Sequence, residues 1–224
     1  MQNQEIGLSE QSKPRGNSSL RSRRAVLVGS AVAGLAGALG VSLLGEKAIA
    51  ATGDDNKNDA AILNNALFYE HQAIWTYSFA AGKLTNTQVG KAVLALGLRN
   101  QNDHKQHRDV LASAVKSLGG TPVQAESSYD LSSYINQKEG NIDSDVNIAK
   151  LALALETDAA IAYTLEAAKL KTPALIAAGA SIGTAEAAHA AAIRATFKAL
   201  GMNLEIVPTA FVSNDNRKSW VLTV

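Results

Sequence analysis

The chain has 224 residues, with 21 Lys or Arg against 20 Asp or Glu, and it contains no cysteine. The lack of cysteine excludes disulfide bonds, thiolate metal ligands and a cysteine nucleophile, so stability must come from packing and from any bound metal. The near-neutral charge provides no basic face, which argues against nucleic acid as a partner.

Residues 1–50 have the pattern of an export signal rather than of a folded domain. Ser22-Arg23-Arg24 precedes an uncharged apolar run over residues 25–44, and Ala48-Ile49-Ala50 has the small residues of a cleavage site. The paired arginine indicates the twin-arginine export machinery as a partner. We therefore expect a periplasmic or extracellular protein. The alternative is a membrane-tethered protein with an uncleaved signal, because roughly 20 apolar residues can span a bilayer.

Without this segment, 174 residues remain, with 15 basic and 17 acidic side chains, which suits one domain. Residues 51–58 are polar and are predicted to form a flexible lead-in. A first helix is predicted over residues 59–82, where apolar residues recur at steps of three and four with Glu70 among them. A second helix is predicted over residues 87–118, and the glycines and proline that follow it should end it.

Residues 120–143 are rich in Pro, Ser, Asn, Gly and Asp, which predicts a long crossover loop. A third helix is predicted over residues 144–171. Pro173 suits the first turn of a fourth helix over residues 173–200, which Gly201 should close. Residues 202–224 are predicted to form a tail that packs on the bundle through Phe211 and Trp220.

The predicted helices contain an internal repeat. A Glu and a Tyr lie seven residues apart on the first helix and again on the third, and a His and a Gly lie twelve residues apart on the second helix and again on the fourth. The repeat predicts two related helical hairpins. Its members are Glu70 and Tyr77, Glu156 and Tyr163, His107 and Gly119, and His189 and Gly201.

Six residues that can bind metal fall inside the apolar stripes of the four helices. Burying a carboxylate or an imidazole is costly unless something pairs it, and a metal ion would pair several at once. A single histidine on such a face is more often an ordinary core residue, so the conjunction of four helices carries the metal hypothesis. His71 lies about 100° around the helix from Glu70 and is expected outside the site. The candidate ligands are Glu70, His104, His107, Glu156, Glu186 and His189.

Two hairpins joined by a crossover, with a Glu on two helices and a ligand pair three residues apart on the other two, resemble the ferritin-like domain family, in its exported bacterial branch. The resemblance implies an all-α fold, a ferritin-like four-helix bundle over residues 59–201. It also implies that the six candidate residues bind iron or manganese. His104 departs from the family pattern, which places at this position a Glu that bridges two metal ions.

This departure leaves two ions, one ion or none as open alternatives. Three carboxylates leave a net charge of +1 on two divalent ions, and a neutral imidazole cannot bridge as a carboxylate does. Asp103, on the flank of the stripe, is a substitute donor. Tyr77 and Tyr163 are expected to pack with hydrogen-bonded hydroxyls.

Two functions are compatible with these patterns. The first is an exported metal-binding protein for oxygen- or peroxide-dependent redox chemistry of the ferroxidase type, with no catalytic residue identified. The second is a non-catalytic structural or stress-associated bundle with a degenerate metal site. The alanine-rich third and fourth helices also permit a homo-oligomer.

Overall fold

A computed structural model describes residues 53–224, so the predicted export signal over residues 1–50 lies outside the described residues. The described part contains helices and no strand, which confirms the all-α prediction. None of its helices is long and apolar enough to span a membrane. The helices are α1 (Gly53–Ala81), α2 (Gln88–Ser117), α3 (Ser132–Asn136), α4 (Asp145–Ala167), α5 (Pro173–Ala199) and α6 (Arg217–Trp220), with a 3₁₀ turn at Asn214–Asn216.

The four long helices form two hairpins, in which α1 packs along α2 and α4 packs along α5. Hydrogen bonds join the hairpins, from Tyr77 to Glu156 and from Tyr163 to Glu70. Moving seven residues forward in α1 moves seven residues back in α4, so these two helices are antiparallel. The bundle interior is closed by apolar side chains from all four helices, among them Leu67, Val115, Leu153 and Ile193.

Most helix ends lie within one residue of the sequence prediction, but α4 ends at Ala167, four residues before the predicted residue 171, and α1 starts early. That helix begins at Gly53, so residues 53–58, which we predicted as a lead-in, form its first turns. Asp54 and Asp55 lie in the first turn, where a negative charge interacts favourably with the helix dipole. Gly119 and Gly201 have positive φ angles of 82° and 97° and follow the ends of α2 and α5.

The crossover between the hairpins contains the short helix α3, which the sequence pattern did not indicate. The crossover packs against α4. Gly140 has a φ of 128°, and a Cβ atom added there would lie 2.2 Å from the backbone nitrogen of Leu151. Only glycine fits both the conformation and the close approach. The crossover is therefore attached to α4 at this residue.

Replacing Gly140 by alanine should lower the free energy of unfolding by about 3 kcal/mol, because the Cβ atom would clash and the backbone would be strained. Urea unfolding followed by circular dichroism measures this loss. Gly82→Ala is the control, because a Cβ atom there meets only a carbonyl oxygen at 3.6 Å. Equal stabilities of the two variants would contradict the close packing of the crossover.

The tail after α5 is held by Trp220, which is 3% exposed. Its indole Nε1 donates hydrogen bonds to Thr209 Oγ1 and to the Phe211 carbonyl, both at 3.1 Å, and Arg194 donates to the Trp220 carbonyl at 2.5 Å. The Phe211 side chain is 71% exposed, so the prediction that it anchors the tail is wrong. Its backbone carbonyl contacts the Trp220 indole instead, and a backbone contact cannot be predicted from the residue type.

Candidate metal centre

The bundle brings all six predicted ligand residues into one cluster. α1 supplies Glu70, α2 supplies His104 and His107, α4 supplies Glu156, and α5 supplies Glu186 and His189. His107 has the most exposed side chain of the six, at 13%. Each helix presents these residues on its apolar stripe, so packing the four stripes together places carboxylates and imidazoles at the centre.

The cluster divides into two overlapping groups of four residues, each with ligand atoms within 4.8 Å of one another. His104 and Glu186 belong to both groups. The Nδ1 atom of His104 lies 2.8 Å from Glu70 Oε2, and its Nε2 atom lies 3.2 Å from Glu156 Oε1. The imidazole therefore lies between the groups, with one ring nitrogen towards each. The first group adds Glu70 and His107, and the second adds Glu156 and His189.

The geometry of the cluster fits a metal ion. His107 Nδ1 and Glu186 Oε1 are both buried, and although they lie 2.9 Å apart as an ion pair, neither forms a well-aligned hydrogen bond with any of the described residues. Buried polar atoms without partners are rare, and an ion between them would satisfy both. Opposite ligand atoms of one ion lie roughly 4.3 Å apart, which is comparable to the 4.8 Å within which all the ligand atoms of each group lie. Carboxylate and imidazole donors suit iron and manganese.

Two tyrosines hold the carboxylates that face each other across the hairpins. The hydroxyl of Tyr77 donates to Glu156, and that of Tyr163 donates to Glu70. Asn100 Nδ2 donates to the Tyr77 hydroxyl at 3.1 Å and to Glu156 Oε1 at 3.3 Å. Asn100 lies one turn before His104 on the predicted stripe, but its residue type alone gave no reason to assign it a role.

Asp103 belongs to neither ligand group. Its Oδ2 atom lies 3.1 Å from His189 Nε2 and also pairs with Arg99. The other ring nitrogen of His189 faces the cluster, so Asp103 fixes the orientation of that ring rather than replacing a ligand. His71 Nε2 lies 3.3 Å from the Val123 carbonyl, outside the cluster as expected.

Comparison with known families decides the classification. The family model described as a ferritin-like domain matches residues 58–199, more than half of the chain. The chain belongs to the ferritin-like domain family. No curated protein and no solved structure matches it. The matched range contains all six cluster residues, so the candidate metal centre lies inside the ferritin-like domain.

Burial alone would lower the pKa of each imidazole in this ferritin-like domain, but the neighbouring carboxylates outweigh it. They raise the pKa of His104 well above its usual range, and Glu156 makes the largest contribution. The Glu186 carboxylate, whose Oε1 atom lies 2.9 Å from His107 Nδ1, makes the largest contribution in raising the pKa of His107 to about 9. Glu156 similarly raises the pKa of His189 to about 10. Without metal, the three histidines are therefore cations at neutral pH.

The three carboxylates are not equivalent. Burial opposes ionisation of Glu70, but the paired His104 and His107 lower its pKa to about 2. Burial is likewise outweighed at Glu156, whose pKa lies well below its usual range beside His104. At Glu186 burial prevails and raises the pKa, although His104 offsets part of the effect. The carboxylate that both ligand groups share thus holds its proton most tightly.

The two tyrosines remain neutral donors. Burial, and then the charge of the carboxylate that each contacts, raises the pKa of Tyr77 and of Tyr163 well above the ordinary value. Both phenols therefore keep their protons at neutral pH and donate to Glu156 and Glu70.

Proposed function

We propose that this protein is an exported ferritin-like protein that binds one or two ions of iron or manganese in the bundle core, for oxygen- or peroxide-dependent redox chemistry of the ferroxidase type. The observation that carries the proposal is the convergence of six ligand-capable side chains, two of which have buried atoms without a well-aligned hydrogen bond among the described residues. Bound iron or manganese would supply one-electron redox steps and open coordination positions for a small oxidant.

The residues of the cluster have distinct tasks in this proposal. Glu186 contributes to both ligand groups, and His107 and His189 each contribute to one. Tyr77 and Tyr163 hold the facing carboxylates in place, so the ligand geometry is organised before any ion arrives. Each histidine must release a proton to become a ligand, because imidazole binds metal only in its neutral form.

Export is part of the proposal and is supported by the sequence of residues 1–50 alone. The twin-arginine machinery carries folded proteins, which is compatible with metal insertion before export. The same segment supports a periplasmic or extracellular location, and an uncleaved signal would tether the domain to a membrane.

One observation favours the alternative of a non-catalytic bundle with a degenerate site. His104 places its two ring nitrogens on Glu70 and Glu156, so it satisfies these carboxylates without a metal. Three protonated histidines and three carboxylates also give the metal-free cluster no net charge. A core of this kind is able to persist as a set of ion pairs.

Elemental analysis distinguishes the two functions. The mature protein should be purified from its export compartment without chelator and without a nickel column. About two iron or manganese ions per chain, or one, would support the proposal and lead to oxygen-consumption assays. No metal, even after anaerobic titration with Fe(II) and Mn(II), would establish the non-catalytic alternative.

Replacing His104 by Glu should strengthen binding of a second metal ion. A fourth carboxylate balances the charge of two divalent ions, and it can bridge them as an imidazole cannot. Anaerobic Mn(II) titration should then give a higher stoichiometry or a tighter second step than in the wild-type protein. His71→Glu adds the same charge outside the cluster and should have no effect. Unchanged stoichiometry in His104→Glu would count against the missing-bridge explanation.

A further inference from the structure

A cavity of about 630 Å³ is lined mainly by α1, α2 and α4 and extends to the candidate metal centre. Its buried lining includes Glu70, His104 and Glu156, so it shares these residues with the cluster. At its mouth, Tyr69 and Leu98 are more than half exposed. The cavity therefore connects the surface of the bundle with the centre.

Small side chains create this space. Where α1 and α4 face each other, alanines recur at seven-residue steps along both helices and leave a gap between the helices. The remaining wall is mostly aliphatic and aromatic, and the buried part also contains the polar side chains of Glu70, Asn100, His104 and Glu156. Cavities of this size and character typically bind small molecules. The alanines are Ala66, Ala73 and Ala80 on α1, and Ala152 and Ala159 on α4.

The charges of the lining restrict the ligand. Four carboxylates line the cavity, from Glu70, Glu156, Asp158 and Glu166, and no Lys or Arg is among the described lining residues. Asp158 is paired with Arg217 and Glu166 with Lys169, outside the lining. An anionic ligand would find His104 as the only cationic side chain among the described lining residues, and that imidazole is already paired with Glu70 and Glu156. Transfer of any charged group into apolar walls is also costly. These features favour an uncharged ligand.

We propose that this cavity binds an uncharged, largely apolar small molecule, with one end against Glu70, His104 and Glu156. Its role as a substrate rests on the proposed redox function, whereas binding itself does not. The apolar part of the ligand is transferred from water into the aliphatic part of the cavity, which is favourable. The polar end of the ligand contacts the carboxylates and the imidazole.

The test uses N-phenyl-1-naphthylamine, an uncharged fluorophore, titrated into the metal-free protein. Saturable binding of one probe per chain is expected, with a blue-shifted emission. Ala73→Leu and Ala159→Leu fill the cavity from opposite helices and should each weaken binding about tenfold or more, which corresponds to about 1.4 kcal/mol. Ala61→Leu makes the same change at an exposed position of α1 and should bind like the wild type. Octanol should displace the probe, and octanoate should not.

Equal affinity in all variants, or the absence of saturable binding, would overturn the inference. Displacement by octanoate as effective as that by octanol would overturn the uncharged class. Circular dichroism melts show whether each variant is folded, and the two cavity variants are independent of each other. A dimer in sedimentation velocity that Ala73→Leu dissociates would identify the groove as a protein interface and would also refute the proposal. Metal binding is measured in a separate titration. Probe binding without metal binding would refute only the proposed function, and metal binding without probe binding would refute only the proposed cavity ligand.

Discussion

Replacing Glu186 by alanine should abolish metal binding at both ligand groups, because its carboxylate is shared by the two. His107 belongs only to the first group and His189 only to the second. His107→Ala and His189→Ala should therefore each reduce the stoichiometry of a two-ion site to one. In a one-ion site, only one of these two histidine variants should lose the metal, and its identity would show which group is occupied.

Metal content after anaerobic Fe(II) or Mn(II) loading is the primary measurement, and the melting temperature with and without chelator is the second. A ligand that binds only the folded state adds about 2.7 kcal/mol of stability at a concentration a hundredfold above its Kd. Chelator should thus lower the melting temperature of the wild type but not of Glu186→Ala. Glu126→Ala removes an exposed carboxylate and should behave like the wild type. Unchanged metal content and melting temperature in both Glu186→Ala and His189→Ala would show that the site is assigned wrongly.

The helices and the six clustered residues could be predicted because they depend on local spacing. Stripes at steps of three and four residues orient each ligand-capable side chain, and Gly119, Pro173 and Gly201 mark helix ends by their backbone preferences. Two related hairpins can bury such stripes only against each other. The convergence of the cluster therefore follows from elements that the sequence encodes locally.

Contacts between distant segments could not be predicted in this way. Tertiary packing determines the close approach of Gly140 to Leu151 and the contact of Asn100 with Tyr77. The residue types glycine and asparagine do not indicate which partner each contacts. Phe211 illustrates the converse, since an aromatic residue in a tail suggests an anchor but here contributes only its carbonyl.

The cluster has an approximate twofold arrangement that His104 breaks. Tyr77 with Glu156 mirrors Tyr163 with Glu70, and His107 mirrors His189. His104 stands opposite Glu186, so an imidazole replaces the second shared carboxylate. This exchange places three histidines with three carboxylates, and the protonation of the histidines consequently governs both stability and metal binding.

In the metal-free protein, the free energy of unfolding should fall as the pH rises from about 6.5 towards 10. The folded-state pKa values of His107, about 9, and His189, about 10, lie above the ordinary 6.5. The folded state therefore binds these protons more tightly, and the stabilisation is complete below pH 6.5 and lost as the pH passes through 9 and 10. At about 1.4 kcal/mol per unit of pKa, His107 contributes roughly 3.5 kcal/mol and His189 roughly 5 kcal/mol. On the acid side, the pKa of Glu70, about 2 against an ordinary 4.5, makes stability fall below pH 4.5.

Bound metal should reverse the loss of stability at alkaline pH. The metal ion competes with these same protons, so its affinity rises as the histidines lose them. Urea unfolding at pH 6 to 9, under nitrogen, with either chelator or Mn(II), should give curves that diverge as the pH rises. His189→Gln should flatten the chelator curve, since it removes one raised pKa, whereas His71→Gln lies outside the cluster and should leave it unchanged. Parallel curves with and without Mn(II) would mean that the ion does not bind the three imidazoles. A flat chelator curve in the wild type would mean that the buried histidines are not held as cations by their carboxylates.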